Sequence, residues 1–353
     1  MRFSRLLALL PIVALVACSD SASSTATTVS ETISLSTIPP TAPPPSTVAP
    51  TEAPTTTIPE VVFPLTGVPV NGSANAARVA LVVKVDNSPG AIPQTGFTAA
   101  DLVYEEIVND HITRFAMVFQ SGDSDPVGPC RSGRIQDVDL FGSLNGPLFA
   151  WSGGNESVTR AINKSDLVNL GPNYAAVYFR SNLAGHSAPH NLYTKTSDIR
   201  TFTPPESQPP AQQFQYRAAG QAVAGGPSTG VHLDMDNYAI DWTWNAATEL
   251  YERMQEGKVH KDAATDSQIT TNNIVVLSMV YKAGQYSGSP DAQSVGSGET
   301  FVFTGGNYIH GTWTRADRLQ PFTLTDDNGV PIKLTPGRTF IELPRVDQTT
   351  PAA

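Results

Sequence analysis

Only 22 of the 353 residues are Lys or Arg, yet Arg131 and Arg134 sit three apart in VGPCRSGR (127–134), beside a Gly-Pro turn and behind Cys130. Two guanidiniums so placed can clamp a phosphate or carboxylate through paired N–H donors, a fork geometry that lysine does not reproduce. Asp86 and Asn87 follow an apolar, β-branched run, and Glu105 and Arg114 lie on the two arms of an expected hairpin. Open α/β sheets present ligand sites at strand ends and in the loops beyond them, so Arg131, Arg134, Arg114 and Asn87 form one candidate anion-binding constellation. If the site is catalytic, Asp86 or Glu105 is the candidate general base, and the arginines stabilise negative charge as it develops. The competing reading is an internal ion-pair network, Arg114 with Glu105 and Arg131 with Asp86 for example, that only holds a turn.

The segment GHSAPHN (185–191) adds His190 and Asn191 as orienting groups in a loop facing the arginines. His186 and His190 have the spacing of a zinc pair on a helix, but Gly185 and Pro189 work against a helix there, so no metal site is expected. Cys130 would need a thiolate-favouring setting and a general base to act as a nucleophile, and a buried, inert thiol is the expected state. Ser132 with His190 and an aspartate is too common a combination to signal a triad. No GxSxG, P-loop, GxGxxG or paired CxxC occurs, and no cofactor is expected. Trp242, Trp244 and Trp313 with Tyr238 and Tyr308 could line a sugar-binding groove, although alternating aromatics in strands more often fill a core.

The elements that must position these residues differ between the two halves. VALVVKV (79–85) has the pattern of a buried strand ending at Asp86, and LVYEEIV with ITRFAMVF predicts a hairpin over 102–119. RIQDVDLFGSL and ESVTRAINK suit helices, PLFAWSGG and AAVYFRS strands, so the first half reads as α/β. From residue 231 the chain is a series of short alternating runs separated by Gly, Asn and Asp, with Asp327-Asn328-Gly329 as a hairpin signal. The expected fold class is α+β: an N-terminal α/β domain (61–217), a linker of small residues (218–230), a mostly antiparallel β domain (231–345), and a disordered tail (346–353).

Arg2 and Arg5 precede the apolar run Leu6 to Ala17 and then Cys18, the layout of a secretory signal too short to span a bilayer. Leu15-Val16-Ala17-Cys18 resembles the lipobox of bacterial lipoproteins, which implies a signal peptide over 1–18 and membrane attachment on the extracytoplasmic face through a lipid on Cys18. Acylation there leaves Cys130 alone, with no intrachain disulfide possible. Residues 19–60, almost all Ser, Thr, Pro and Ala, predict a disordered tether. In a polyproline-like conformation that tether reaches on the order of 100 Å. Without the signal the chain carries 20 Lys+Arg against 32 Asp+Glu, a formal charge of −12. That acidity, with no basic run, argues against nucleic acid and against adhesion to anionic lipid through a basic patch.

DNSPGAIPQTGFTAADLVYEEIVNDHITRFAMVFQ, VGPCRSGR, FAWSGGN, SAPHNLYT, YERMQEGKVHKDAATDSQITTNNIVVL, GTWTRADRLQPFTLTDDNG and LTPGRTFIEL occur in this order. Together they resemble the YerB-like bacterial lipoprotein family, domain of unknown function 3048 with its own C-terminal domain, over nearly the whole chain after the tether. The resemblance implies a two-domain, membrane-anchored envelope protein and brings no established reaction with it. Cys130 departs from the family pattern, which places an apolar residue there. Three roles fit the sequence: a module binding an anionic cell-wall component, a hydrolase or transferase acting on wall polymers, and a scaffold for envelope proteins.

Overall fold

The computed structural model describes residues 60–352 apart from 110, 111, 172, 175 and 285–288; the lipobox and the tether up to residue 59 lie outside the described residues. LVVKVD forms the strand Leu81–Asp86, buried along its whole length. It pairs antiparallel with Ile112–Phe119 and parallel with Leu148–Ala150. A strand inside a sheet covered on both faces reads as a continuous apolar run, and this one does. The expected hairpin is present as Leu102–Asn109 and Ile112–Phe119, with Leu102 opposite Val118 and Glu106 opposite Arg114.

The second half joins this same sheet. Thr339–Leu343 lies parallel to Leu102–Asn109, Asn273–Leu277 lies parallel to it on its other side, and Gly296–Thr304, Asn307–Arg315 and Thr323–Asp326 follow antiparallel. The result is one mixed sheet of eleven strands drawn from both halves. An α/β half followed by a separate β half therefore does not describe the fold. Period-two patterning reveals that a strand exists but not which partner it takes, and here the partners are more than two hundred residues apart.

Antiparallel pairing dominates the second sheet, which runs Lys258–Val259, Leu250–Gln255, Ala239–Asn245, Gly230–Asp234 and Thr349–Ala352. The C-terminal residues expected to be a disordered tail thus form an edge strand on Gly230–Asp234. Backbone pairing needs no apolar side chain, which is why the polar run TTPA gave no signal of it. Within the small-residue connection, Gly226–Pro227 pairs with Asn307 and Tyr308.

Two apolar layers result. Val83, Val85, Val103, Ile107, Phe115, Ile274 and Phe340 face the second sheet, where Leu233, Ile240, Trp242 and Tyr251 meet them. On the opposite face Val82, Tyr104, Ala116, Val275 and Ile341 are covered by Phe141, Leu144, Val158, Ile162 and Phe214. The helix ESVTRAINK is present as Glu156–Lys164, whereas RIQDVDLFGSL reduces to Asp137–Leu140 and a 3-10 turn, ended by Asn145 in the left-handed region. Among its described residues AAVYFRS contributes only Phe179–Arg180. Asn155 caps the longer helix by accepting from Val158 N–H at 2.9 Å. Asn155→Ala is expected to cost about 1 kcal/mol, read as a lower urea midpoint with unchanged slope.

Candidate functional site: an arginine cluster at the strand ends

VGPCRSGR is not a turn. It is an extended segment wedged between the Leu81–Asp86 strand and residues 192–194. Cys130 bridges Val85 and Val127 bridges Thr194, while Arg131 N–H donates to Lys84 O at 2.9 Å and Asp86 N–H to Pro129 O at 2.9 Å. Gly133 is required by space, since a Cβ there would lie 2.9 Å from the Trp151 ring.

Backbone pairing places three arginines around Ser132. Arg114 comes from the neighbouring strand, in register with Asp86 on one side and Glu106 on the other. Its Nη1 donates to Ser132 O at 2.9 Å. Arg134 donates through Nη2 to Asn109 Oδ1 at 3.1 Å and through Nη1 to Gly133 O at 3.2 Å. Arg131 Nε lies 3.2 Å from Asp86 Oδ2, close enough for an ion pair but outside hydrogen-bond geometry. The Nε of Arg114, Arg131 and Arg134 are all buried and, among the described residues, none has an acceptor.

The electrostatics show crowding of like charge. Burial, then the nearby charge of Arg134 and also that of Arg131, press the Arg114 pKa down to about 9, against the opposing pull of Asp86 and Glu106. Asp86 is the anchor of the cluster. Burial would raise its pKa, but hydrogen bonds from Ser88 (2.7 Å from Oγ, 3.0 Å from N–H), His190 Nδ1 at 2.7 Å and the charge of Arg131 outweigh it, so its pKa is lowered. Lys84, wholly buried, is bound by Glu106 and by Asp137 Oδ1 at 2.9 Å. Four cations (Lys84, Arg114, Arg131, Arg134) thus meet three carboxylates (Asp86, Glu106, Asp137). An excess of positive charge in an acidic chain is a local attractor for anions.

Glu105 and Asn87 belong elsewhere. Both are buried in the layer between the sheets, where Glu105 accepts from Arg253 Nη2 at 2.5 Å, Thr113 Oγ at 2.6 Å and Asn87 Nδ2 at 3.2 Å. Asn87 is saturated further by Gln94 and Gln255. Neither meets the arginine cluster, because alternation along the strand sends Glu105 and Glu106 to opposite faces. The predicted Arg114–Glu105 pair is therefore replaced by Arg114 between Asp86 and Glu106, while the predicted Arg131–Asp86 pair is present. Sequence reasoning passed over Lys84, Asp137, Arg253, Glu342 and His260. The usable signal was a charge inside an otherwise apolar strand, as in VVKV and FIEL, which must find a partner once both faces are covered.

Residues 65–208 match the N-terminal domain, and residues 231–341 the C-terminal domain, of the protein family of unknown function DUF3048. The chain belongs to this family. It is 26% identical over 292 residues to the candidate lipoprotein YerB of Bacillus subtilis, covering 79% of this chain and 85% of that protein. The crystal structure of the Bacillus subtilis YerB protein shares the fold, with a TM-score of 0.74 at 23% identity, across 83% of this chain and 100% of that one. Among the described residues no helix is long and apolar enough to cross a membrane.

In this DUF3048 chain the remaining predicted residues separate. His190 joins the cluster through Asp86, with its side chain 25% exposed. Asn191 instead holds Arg180, whose Nη1 donates to its Oδ1 at 2.7 Å. His186 points away from both, stacked on Tyr193 with Nδ1 2.6 Å from the Tyr193 hydroxyl. Cys130 is sealed, and burial pushes its thiol pKa up to about 12, so it is held as the inert thiol. Trp242, Trp313 and Tyr238 are core residues, whereas Trp244 and Tyr308 remain partly exposed.

Proposed function

We propose that the protein is an extracytoplasmic lipoprotein, anchored through Cys18, whose arginine cluster binds an anionic group of a cell-envelope component. The supporting observation is the trio of buried Nε donors on Arg114, Arg131 and Arg134, none of which makes a hydrogen bond among the described residues although Arg131 Nε is ion-paired with Asp86, set where backbone pairing holds them in place. Unsatisfied buried donors cost about 1–3 kcal/mol each, and an oxyanion seated among them would recover that cost. Asp86, fixed by Ser88 and His190, serves to orient Arg131. A binding role fits better than a catalytic one: Glu105 is sealed between the sheets, and Asp86 has its pKa lowered and both oxygens occupied.

The test is thermal unfolding of the full-length protein with and without inorganic phosphate, muropeptides and anionic wall-polymer fragments, for the parent and for Arg134→Ala. Arg134 is half-buried and its side chain is bonded, among the described residues, only to Asn109 and to its own neighbour Gly133, so its removal is expected to leave the fold intact. A ligand at about 100 times its dissociation constant adds about 2.7 kcal/mol and raises Tm by roughly 4–5 °C. The shift is expected in the parent and is expected to shrink at least tenfold in apparent affinity in the variant. Equal shifts in both proteins, or none with any anion, would show the cluster to be structural.

A further inference from the structure

The chain has four tryptophans, and three of them have an acceptor for the indole N–H. Trp242 donates to Glu342 Oε1 at 2.8 Å, Trp313 to Ser278 O at 3.2 Å, and Trp151 to Asn169 Oδ1 at 2.7 Å. Trp244 donates to nothing among the described residues and is partly exposed. It lines a cavity of about 270 Å³ together with Arg217, Thr248, Glu249, Asn272 and Thr335. A cavity of that size lies just below the about 300–1,000 Å³ typical of drug-sized ligands, so it suits one small ring at a time.

The walls are fixed while their functional groups are spare. Trp244 is braced by Tyr251, ring centroids 4.8 Å apart and tilted 52°. Its close approach to the Thr304–Asn307 turn depends on Gly306, whose φ is +76° and where a Cβ would lie 2.7 Å from the indole nitrogen. Arg217 is held by Nε donating to Thr335 Oγ at 3.1 Å and Nη1 to Gln221 O at 3.0 Å. It has no carboxylate partner among the described residues, and Nη2 is left with no acceptor among them. Asn272 Oδ1 accepts from Arg338 N–H at 3.0 Å, which leaves its amide nitrogen free to donate. Glu249 sits at the hairpin between Ala239–Asn245 and Leu250–Gln255, in the left-handed region at φ 53°, exposed and without a cation among the described residues. A non-glycine residue held there is uncommon and worth a functional explanation.

An aromatic ring beside spare donors and one spare carboxylate matches a pyranose, which has an apolar face and a rim of hydroxyls that both donate and accept. We propose that this cavity is a saccharide-binding site that takes a single pyranose unit against Trp244. Glu249 accepts from its hydroxyls, and Arg217 and Asn272 donate to its oxygens. The site shares no residue with the arginine cluster, so the two can fail separately.

The test follows the four indole N–H resonances of the ¹⁵N-labelled full-length protein in detergent, assigned by substitution, while N-acetylglucosamine, glucuronic acid and inorganic phosphate are titrated in. A saccharide is expected to shift the Trp244 signal saturably and leave those of Trp242 and Trp313 in place; phosphate should leave Trp244 unmoved, and Trp151, beside the arginine cluster, reports on that other site. Arg217→Ala and Glu249→Gln should each weaken the saccharide at least tenfold. Trp244→Phe, which keeps a ring and the packing but removes the reporting indole, should show a smaller saccharide-induced rise in Tm than the parent but a larger one than Trp244→Ala. If neither sugar moves Trp244, or if the response is unchanged in Arg217→Ala and Glu249→Gln, the proposal is wrong.

Discussion

Arg253→Ala is expected to lower stability by about 3–5 kcal/mol, enough to unfold a large fraction of a marginally stable chain. Arg253 is wholly buried between the sheets. It donates through Nη2 to Glu105 at 2.5 Å, through Nη1 to Glu342 at 3.0 Å and through Nε to His260 Nδ1 at 3.0 Å. Its guanidinium also lies over Phe115, Trp242 and Phe340. Glu105 and Glu342 are neighbours in parallel register, so without Arg253 the negative charge this pair of carboxyl groups carries is left with no cation. Truncating one member of such a group leaves buried charge uncompensated, which is far costlier than the pair was worth. Arg253→Met with Glu105→Gln and Glu342→Gln should recover most of the loss, because the charges disappear together. Urea unfolding followed by circular dichroism checks both proteins; a loss under about 1 kcal/mol for Arg253→Ala would mean that water reaches the layer.

Stability is also expected to fall as pH rises from about 6.5 to 8, on the order of 1–2 kcal/mol. Burial, and then Glu105, raise the Glu342 pKa to about 8 despite Arg253, while burial and Glu106 raise that of Asp137 to about 7 despite Lys84. The folded chain therefore holds protons that the unfolded chain has released, and unfolding becomes easier as pH increases through this window. Exposed His310, raised by hydrogen bonds to Asp327 and Glu299, acts in the same direction. His260 acts oppositely. Burial and Arg253 lower its pKa well below 6.5, so acidification below that value favours the unfolded state. The lowered pKa of Asp86 adds to the acid-side loss at still lower pH. Glu342→Gln should make the fall shallower all the way from about pH 4.5, near the unfolded glutamate value, up to about 8, and leave the limb below about pH 4 unchanged, as measured by urea midpoints across the pH range. A parent curve that is flat or rising between pH 6.5 and 8 would show that neither carboxylate holds its proton.

Strand existence was legible wherever apolar residues ran together. VALVVKV, the LVYEEIV–ITRFAMVF hairpin and the helix ESVTRAINK appear at or close to their expected positions. Partner choice was not legible. The insertion of Thr339–Leu343 beside Leu102–Asn109 joins sequence-distant strands, and the pattern of each says only that it is buried on both faces. For the same reason the site was half foreseen. Arg131 with Asp86, and the proximity of Arg114 and Arg134, followed from loops at strand ends, whereas Glu105 and Asn87 turned to the other face.

The sequence by itself determined the local chemistry: which segments are extended, where arginine forks occur in an acidic chain, that the cysteine is an inert buried thiol, and, through its ordered blocks, the family. Only the tertiary structure decided which charges meet. Side chains on a strand alternate faces, so a single step from Glu105 to Glu106 separates the Arg253 network from the arginine cluster. The partners that distinguish the two faces, Arg253 on one and Asp137 on the other, are brought there by long-range pairing that no local pattern encodes.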